Sequence, residues 1–130
     1  MLPGISLPLL KNTGDLSIYN NSALLSISLP ALQHLTSPST NSWGTSITNN
    51  ANLTSISFDQ LLTVSNDKVS FGVNKLPSAQ VNYLLHKLVT SMPIPTVYIK
   101  TMQSVAAPPT GQGITDKATL VGAGITVDTD

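Results

Sequence analysis

The feature that most constrains the fold of this chain is an internal repeat in its first half. One motif, Ile-Ser followed by Leu or Phe, recurs at intervals of 22 and 29 residues; a second, x-Ser followed by Ile or Phe, recurs at 29 and 24. The first motif begins at Ile5, Ile27 and Ile56, and the second at Leu16, Thr45 and Val69. Because both motifs share the 29-residue interval, we interpret them as parts of one repeating unit.

A single unit of this length cannot bury its apolar face alone, so the units are expected to stack. The alternation of apolar and polar residues within each motif predicts short strands. We therefore predict a solenoid of about three turns over residues 1–75, with stacked parallel strands. Equivalent apolar side chains would form inward columns, and the asparagine after each second-motif strand would form a polar ladder. The columns are Ile18, Ile47 and Phe71, and Leu29 and Phe58; the ladder is Asn21, Asn50 and Asn74.

The pattern changes after Pro77, and residues 76–130 are predicted to form a C-terminal cap. Apolar residues at helical spacing predict a helix over 78–90, with Ser78 as its N-cap. We further predict a strand over 96–100, a short helix over 115–122 capped by Thr115, and a strand over 125–128. The expected fold class is α/β: a short solenoid closed by a helix-containing cap.

Composition disfavours several classes of function. The formal net charge is zero and only 9% of the residues are charged, which argues against nucleic acid as a partner. No apolar stretch is long enough for membrane insertion. The chain has no cysteine, and His34 and His86 lie in no recognisable pattern with carboxylates. We therefore expect no enzymatic activity, no metal site and no cofactor.

The strands of the second motif offer a candidate binding surface. If Ile18 and its equivalents point inward, their neighbours form an outward strip that is polar, nearly uncharged and contains one aromatic ring. Such a strip suits a glycan or a protein strand, although a solvated strand face is the simpler interpretation of any single residue. Trp43, in the connection 36–44, is either an exposed contact or packed against the strands. The candidate residues are Ser17, Tyr19, Trp43, Ser46, Thr48 and Ser70.

Two sets of segments resemble a known group. Residues 16–21 and 24–32 resemble the irregular leucine-rich repeats of bacterial surface proteins, especially of Bacteroidota, and receptor L-domain-like repeats. Residues 76–85 and 107–120 resemble the C-terminal region that follows such repeats. The chain also resembles phage virion proteins that carry repeats of this kind. The resemblance implies a parallel-stranded leucine-rich-repeat solenoid with an adhesion or recognition role, placed extracellularly, at a cell surface or on a virion.

Two functional hypotheses follow. The first is a non-enzymatic recognition or adhesion module that binds protein or glycan through the outward strand face. The alternative is a structural component of a virion, such as a fibre or decoration protein, or of another extracellular assembly. The sequence opens inside a repeat without a cap. We therefore expect either that it is a piece of a longer chain, or that copies of the chain or other subunits are partners at this open N-terminal end.

Overall fold

The computed structural model describes residues 2–36, 44–65, 68–91, 96–99 and 106–130. It is an α/β structure with three sheets of parallel strands and two helices. Nine of the strands come in three successive groups of three, which we call the first, second and third triplets. The first triplet is β1 (Gly4–Ser6), β2 (Asn12–Thr13) and β3 (Leu16–Tyr19); the second is β4 (Ser26–Ser28), β5 (His34–Leu35) and β6 (Thr45–Thr48); the third is β7 (Ser55–Ser57), β8 (Thr63–Val64) and β9 (Val69–Ser70).

Each triplet contributes one strand to each sheet. Sheet A has the order β1-β4-β7 and sheet B the order β2-β5-β8. Two later strands, β10 (Thr96–Tyr98) and β11 (Thr126–Asp128), extend sheet C to the order β11-β10-β9-β6-β3. Within the described residues no sheet closes into a barrel, so β1, β2 and β3 are all edge strands at the same end.

The strand registers follow the repeat spacing. Ile27 pairs with Ile5 on one side and Ile56 on the other, and Ile18 pairs with Ile47. Side chains at equivalent positions therefore stack in columns inside the structure. The rings of Phe58 and Phe71, which belong to two different columns, lie 6.0 Å apart between centroids. The predicted inward columns are confirmed: their members are fully buried except in the first triplet, where Ile18 is half-buried.

The asparagine ladder is also confirmed. The backbone N–H of Asn21 donates to Asn50 Oδ1 over 3.1 Å, and that of Asn50 donates to Asn74 Oδ1 over 3.0 Å. The Asn74 amide in turn donates to the carbonyls of Ile47 and Phe71. Because Asn50 and Asn74 are fully buried, these bonds replace the water that their amides lose on folding.

Helix α1 spans Ser78–Val89 and buries Val81, Leu84, Leu85 and Leu88, the face expected from the sequence. The prediction that Ser78 is the N-cap is wrong. Pro77 occupies the cap position in an extended conformation, and its carbonyl accepts from the backbone N–H groups of residues 80 and 81. Proline suits this place because a helix start needs no N–H there.

Helix α2 spans Gln112–Gly122, so it begins three residues before the predicted start and contains Thr115 in its interior. The Asn82 side chain sets the earlier start, because it accepts from the Thr110 backbone N–H over 2.9 Å and donates to the Thr110 hydroxyl. Gly111, with φ of 48°, then turns the chain into the helix. The strands β10 and β11 are shorter than the predicted 96–100 and 125–128.

Helix α1 lies along the edge of β7, and Ser91, two residues after the helix, lies at the edge of β8; together they replace a further strand there. The backbone N–H of Ile56 donates to Gln80 Oε1 over 2.9 Å, and that of Phe58 donates to the Tyr83 hydroxyl over 2.8 Å. On sheet B, the Val64 N–H donates to the Ser91 carbonyl. Burial raises the pKa of Tyr83; the bond from Phe58 opposes this rise and nearby Asp59 adds to it.

One residue shortly after the third triplet is strained. Asn20 and Asn49 precede the ladder asparagines with φ of 60° and 58°, and Val73 holds the same place with φ of 57°. A β-branched residue tolerates this left-handed conformation poorly, whereas asparagine tolerates it well. We expect Val73→Asn to raise the free energy of unfolding by about 1 kcal/mol in urea titrations, and Asn49→Val to lower it by about as much. A loss of stability in Val73→Asn would show that valine packing outweighs the backbone strain.

Candidate binding surface on sheet C

Serine hydroxyls line up across sheet C. Ser17, Ser46 and Ser70 are Cα partners in the successive strands β3, β6 and β9. Since partners in a parallel sheet present their side chains on one face, the three hydroxyls form a row. Ser17 is exposed and the other two are half-buried. The row was predictable because the second motif keeps a serine at this position in every unit.

A second row lies beside the first. Tyr19 pairs with Thr48, and the Thr48 hydroxyl lies 3.4 Å from the Ser46 hydroxyl. The Tyr19 side chain is 61% exposed and stands on β3, the edge strand. These five side chains, which we call the hydroxyl surface, thus lie together as expected: Ser17, Tyr19, Ser46, Thr48 and Ser70. Trp43, the sixth predicted residue, lies outside the described residues.

The register extends the serine row beyond the repeats. Ser70 pairs with Tyr98 of β10, which pairs with Asp128 of β11. Asp128, half-buried, therefore holds the fifth register position counted from Ser17 and adds an acidic group to the surface. The sequence did not predict this, because β10 and β11 share no motif with the repeats and their pairing with β9 is set by tertiary packing.

A concave surface, separate from the hydroxyl surface, lies at the start of α1. A cavity of about 390 Å³ is lined by residues of three separate segments. Its lining is mostly apolar, with one lysine and two hydroxyl groups. The lining residues are Thr54, Lys75, Leu76, Pro77, Ser78, Ala106 and Ala107. No local signal in the sequence connects these segments, so the cavity was not predicted.

One pairing contradicts the sequence interpretation of the histidines. His86 Nδ1 lies 3.2 Å from Asp116 Oδ2, and Gln112 Nε2 donates to the other carboxylate oxygen over 3.1 Å. The packing of α2 on α1 brings the acid to His86, although 30 residues separate them. His86 is 60% exposed, and among the described residues no hydroxyl group hydrogen-bonds to its ring. Within the described residues, the pair is therefore not joined to a hydroxyl group that could act as a nucleophile.

The part of the chain that the structure describes was also searched for metal sites and for membrane-spanning helices. It contains no cluster of three or more histidine, cysteine or acidic side chains with metal-binding geometry. None of the described helices has the length and apolar character needed to cross a membrane. Comparison with known proteins found no matching family model, no matching curated protein and no matching solved structure.

Proposed function

We propose that this chain is a non-enzymatic recognition module of an extracellular or cell-surface protein, built as a short leucine-rich-repeat solenoid with a helical cap. Its ligand, a glycan or an extended protein segment, lies across the hydroxyl surface. The observation that carries the proposal is the row of Ser17, Ser46 and Ser70 in register beside the exposed ring of Tyr19.

The chemistry of this surface suits an uncharged ligand with many hydroxyl or amide groups. Each serine or threonine hydroxyl both donates and accepts hydrogen bonds, so a regular row can match a regular array of polar groups. A tyrosine ring adds apolar contact area at small entropic cost. The low charged fraction of the chain, 9%, gives little long-range attraction for an ionic ligand.

The first test is a screen of the purified chain against a glycan array and a panel of extracellular proteins, followed by calorimetric titration of any ligand. We expect Tyr19→Ala to weaken binding about tenfold, because loss of one aromatic contact costs roughly 1.4 kcal/mol. Ser28→Ala is the matched control, since its hydroxyl lies 3.4 Å from that of Ser57 on sheet A, away from the hydroxyl surface.

Two results would contradict this proposal. If the wild-type chain binds nothing in either screen, the recognition role is wrong. If a ligand is found but Tyr19→Ala binds it as tightly as Ser28→Ala, the ligand occupies another surface.

A structural role in a virion or another extracellular assembly is the second candidate. The observation that favours it is the uncovered first triplet, whose three strands each have a neighbour on one side only among the described residues. Edge strands of this kind are ready to pair with another chain.

A further inference from the structure

The end of the structure formed by the first triplet exposes side chains that are buried one unit later. Leu2 is 65% exposed whereas Leu24, 22 residues later, is 1% exposed. Leu7 is 42% exposed whereas its equivalent Leu29 is fully buried. Four further apolar side chains at this end are only half-buried. Residue types that form the core in the later triplets therefore form a surface here. This first-triplet face comprises Leu2, Ile5, Leu7, Leu10, Leu16 and Ile18.

The asparagine ladder is also open at this end. Asn50 Oδ1 accepts from both the backbone N–H and the side-chain amide of Asn21, and Asn74 Oδ1 accepts likewise from Asn50. By contrast, no group among the described residues donates to Asn21 Oδ1. The first triplet therefore presents a hydrogen-bond acceptor as well as apolar side chains.

A second apolar surface lies at the opposite end. Helix α2 buries Gly113, Asp116 and Leu120, and it packs against α1. Another of its faces carries Ile114 at 59% and Val121 at 52% exposure, with the exposed Ala118 between them. Their spacing of four and three residues places them on one stripe, which we call the α2 stripe. Contiguous exposed apolar patches rimmed by polar residues can mark interaction surfaces.

The strands of sheet C run in the same direction at both ends of the structure, so its two edges could pair with each other in parallel. Its edge strands are β11 beside α2 and β3 in the first triplet, and all its strand pairs are parallel. If β11 of one copy lies beside β3 of the next, the sheet continues in the same direction. The α2 stripe is then brought towards the first-triplet face, in the way that α1 lies against the third triplet within one chain.

We propose that this chain associates head to tail with copies of itself, the α2 stripe and β11 of one copy docking on the first-triplet face and β3 of the next. The formal net charge of zero leaves no net repulsion between copies. A heterologous contact of this kind leads to a ring or to a filament. The proposal deepens the assembly candidate and does not depend on a ligand at the hydroxyl surface.

The test compares the mass in solution of the full chain and two variants, by light scattering over a wide concentration range. For the wild type we expect a mass that rises with concentration above the 13.7 kDa of one chain. Leu7→Lys and Val121→Lys each place a charge at one end, and each alone should remain monomeric. An equimolar mixture of the two should form a one-to-one dimer, because each variant retains the end that the other has lost.

Leu62→Lys is the matched control, since Leu62 is 60% exposed and belongs to neither surface; it should associate as the wild type does. Circular dichroism of each variant checks that it is folded. A wild-type chain that is monomeric at every concentration overturns the proposal. So does association that Leu7→Lys abolishes and Val121→Lys leaves intact, which would indicate two first-triplet faces in contact. Glycan and protein binding are measured separately, so failure here leaves the recognition proposal standing.

Discussion

Replacing Asn50 by alanine is expected to lower the free energy of unfolding by about 4 kcal/mol, because the cost of several unpaired buried groups adds up. The Asn50 amide donates over 3.1 Å to the carbonyls of Ile18 and Thr48, and its oxygen accepts two bonds from Asn21. Its amide also contacts Asn74 Oδ1. Alanine supplies none of these groups, and the Asn50 side chain is fully buried. Urea titration followed by circular dichroism measures the change.

Asn52→Ala is the control for this substitution. Asn52 lies two residues away and donates one hydrogen bond, to the Ser22 carbonyl, but this bond is exposed. Water can replace it, so the loss should stay below about 1 kcal/mol. Equal losses in the two variants would mean that the ladder contributes no more than an ordinary surface contact.

The second large effect is expected at Gly113, where α2 crosses α1. A Cβ at this position would overlap Asn82 Oδ1 and lie 2.7 Å from Asn82 Cγ. The Asn82 side chain cannot move away freely, because its two bonds to Thr110 hold it in place. We expect Gly113→Ala to lower the free energy of unfolding by about 3 kcal/mol, the upper range for overpacking a rigid site.

Gly122 in the same helix is the matched control for Gly113. A Cβ there meets no atom within 4 Å. Gly122→Ala should leave stability unchanged or raise it by up to about 1 kcal/mol, through helix propensity. The double variant Gly113→Ala with Asn82→Ala should lose less than the sum of the single losses, because the overlap disappears with the Asn82 side chain. Additive losses would show that the overlap is not the cause.

The parts of the structure that the sequence predicts are those repeated at a fixed spacing. Ile5, Ile27 and Ile56 align from the sequence alone, and so do Asn21, Asn50 and Asn74 of the ladder. The hydroxyl surface follows from the same alignment, since serine recurs beside each inward residue. The amphipathic helix was predictable for a related reason, because its apolar period is local.

The parts that were missed depend on contacts between unlike segments. The strands of sheet B have two residues each, too few to show an alternation, so the sheet has no signature in the sequence. The start of α2 is set by Asn82, 28 residues before Thr110. The His86–Asp116 pair and the register of Asp128 in sheet C likewise arise from packing across the second half of the chain.

The connections between sheet B and sheet C differ in length while the registers around them do not. The connection from the sheet B strand to the sheet C strand is formed by residues 14–15 in the first triplet, 36–44 in the second and 65–68 in the third. Strand β6 nevertheless aligns with both β3 and β9, residue for residue. The register of sheet C therefore does not depend on the length of the connection that precedes each of its strands. The interval between Thr36 and Gly44 is accordingly the natural place for a designer to insert a foreign epitope.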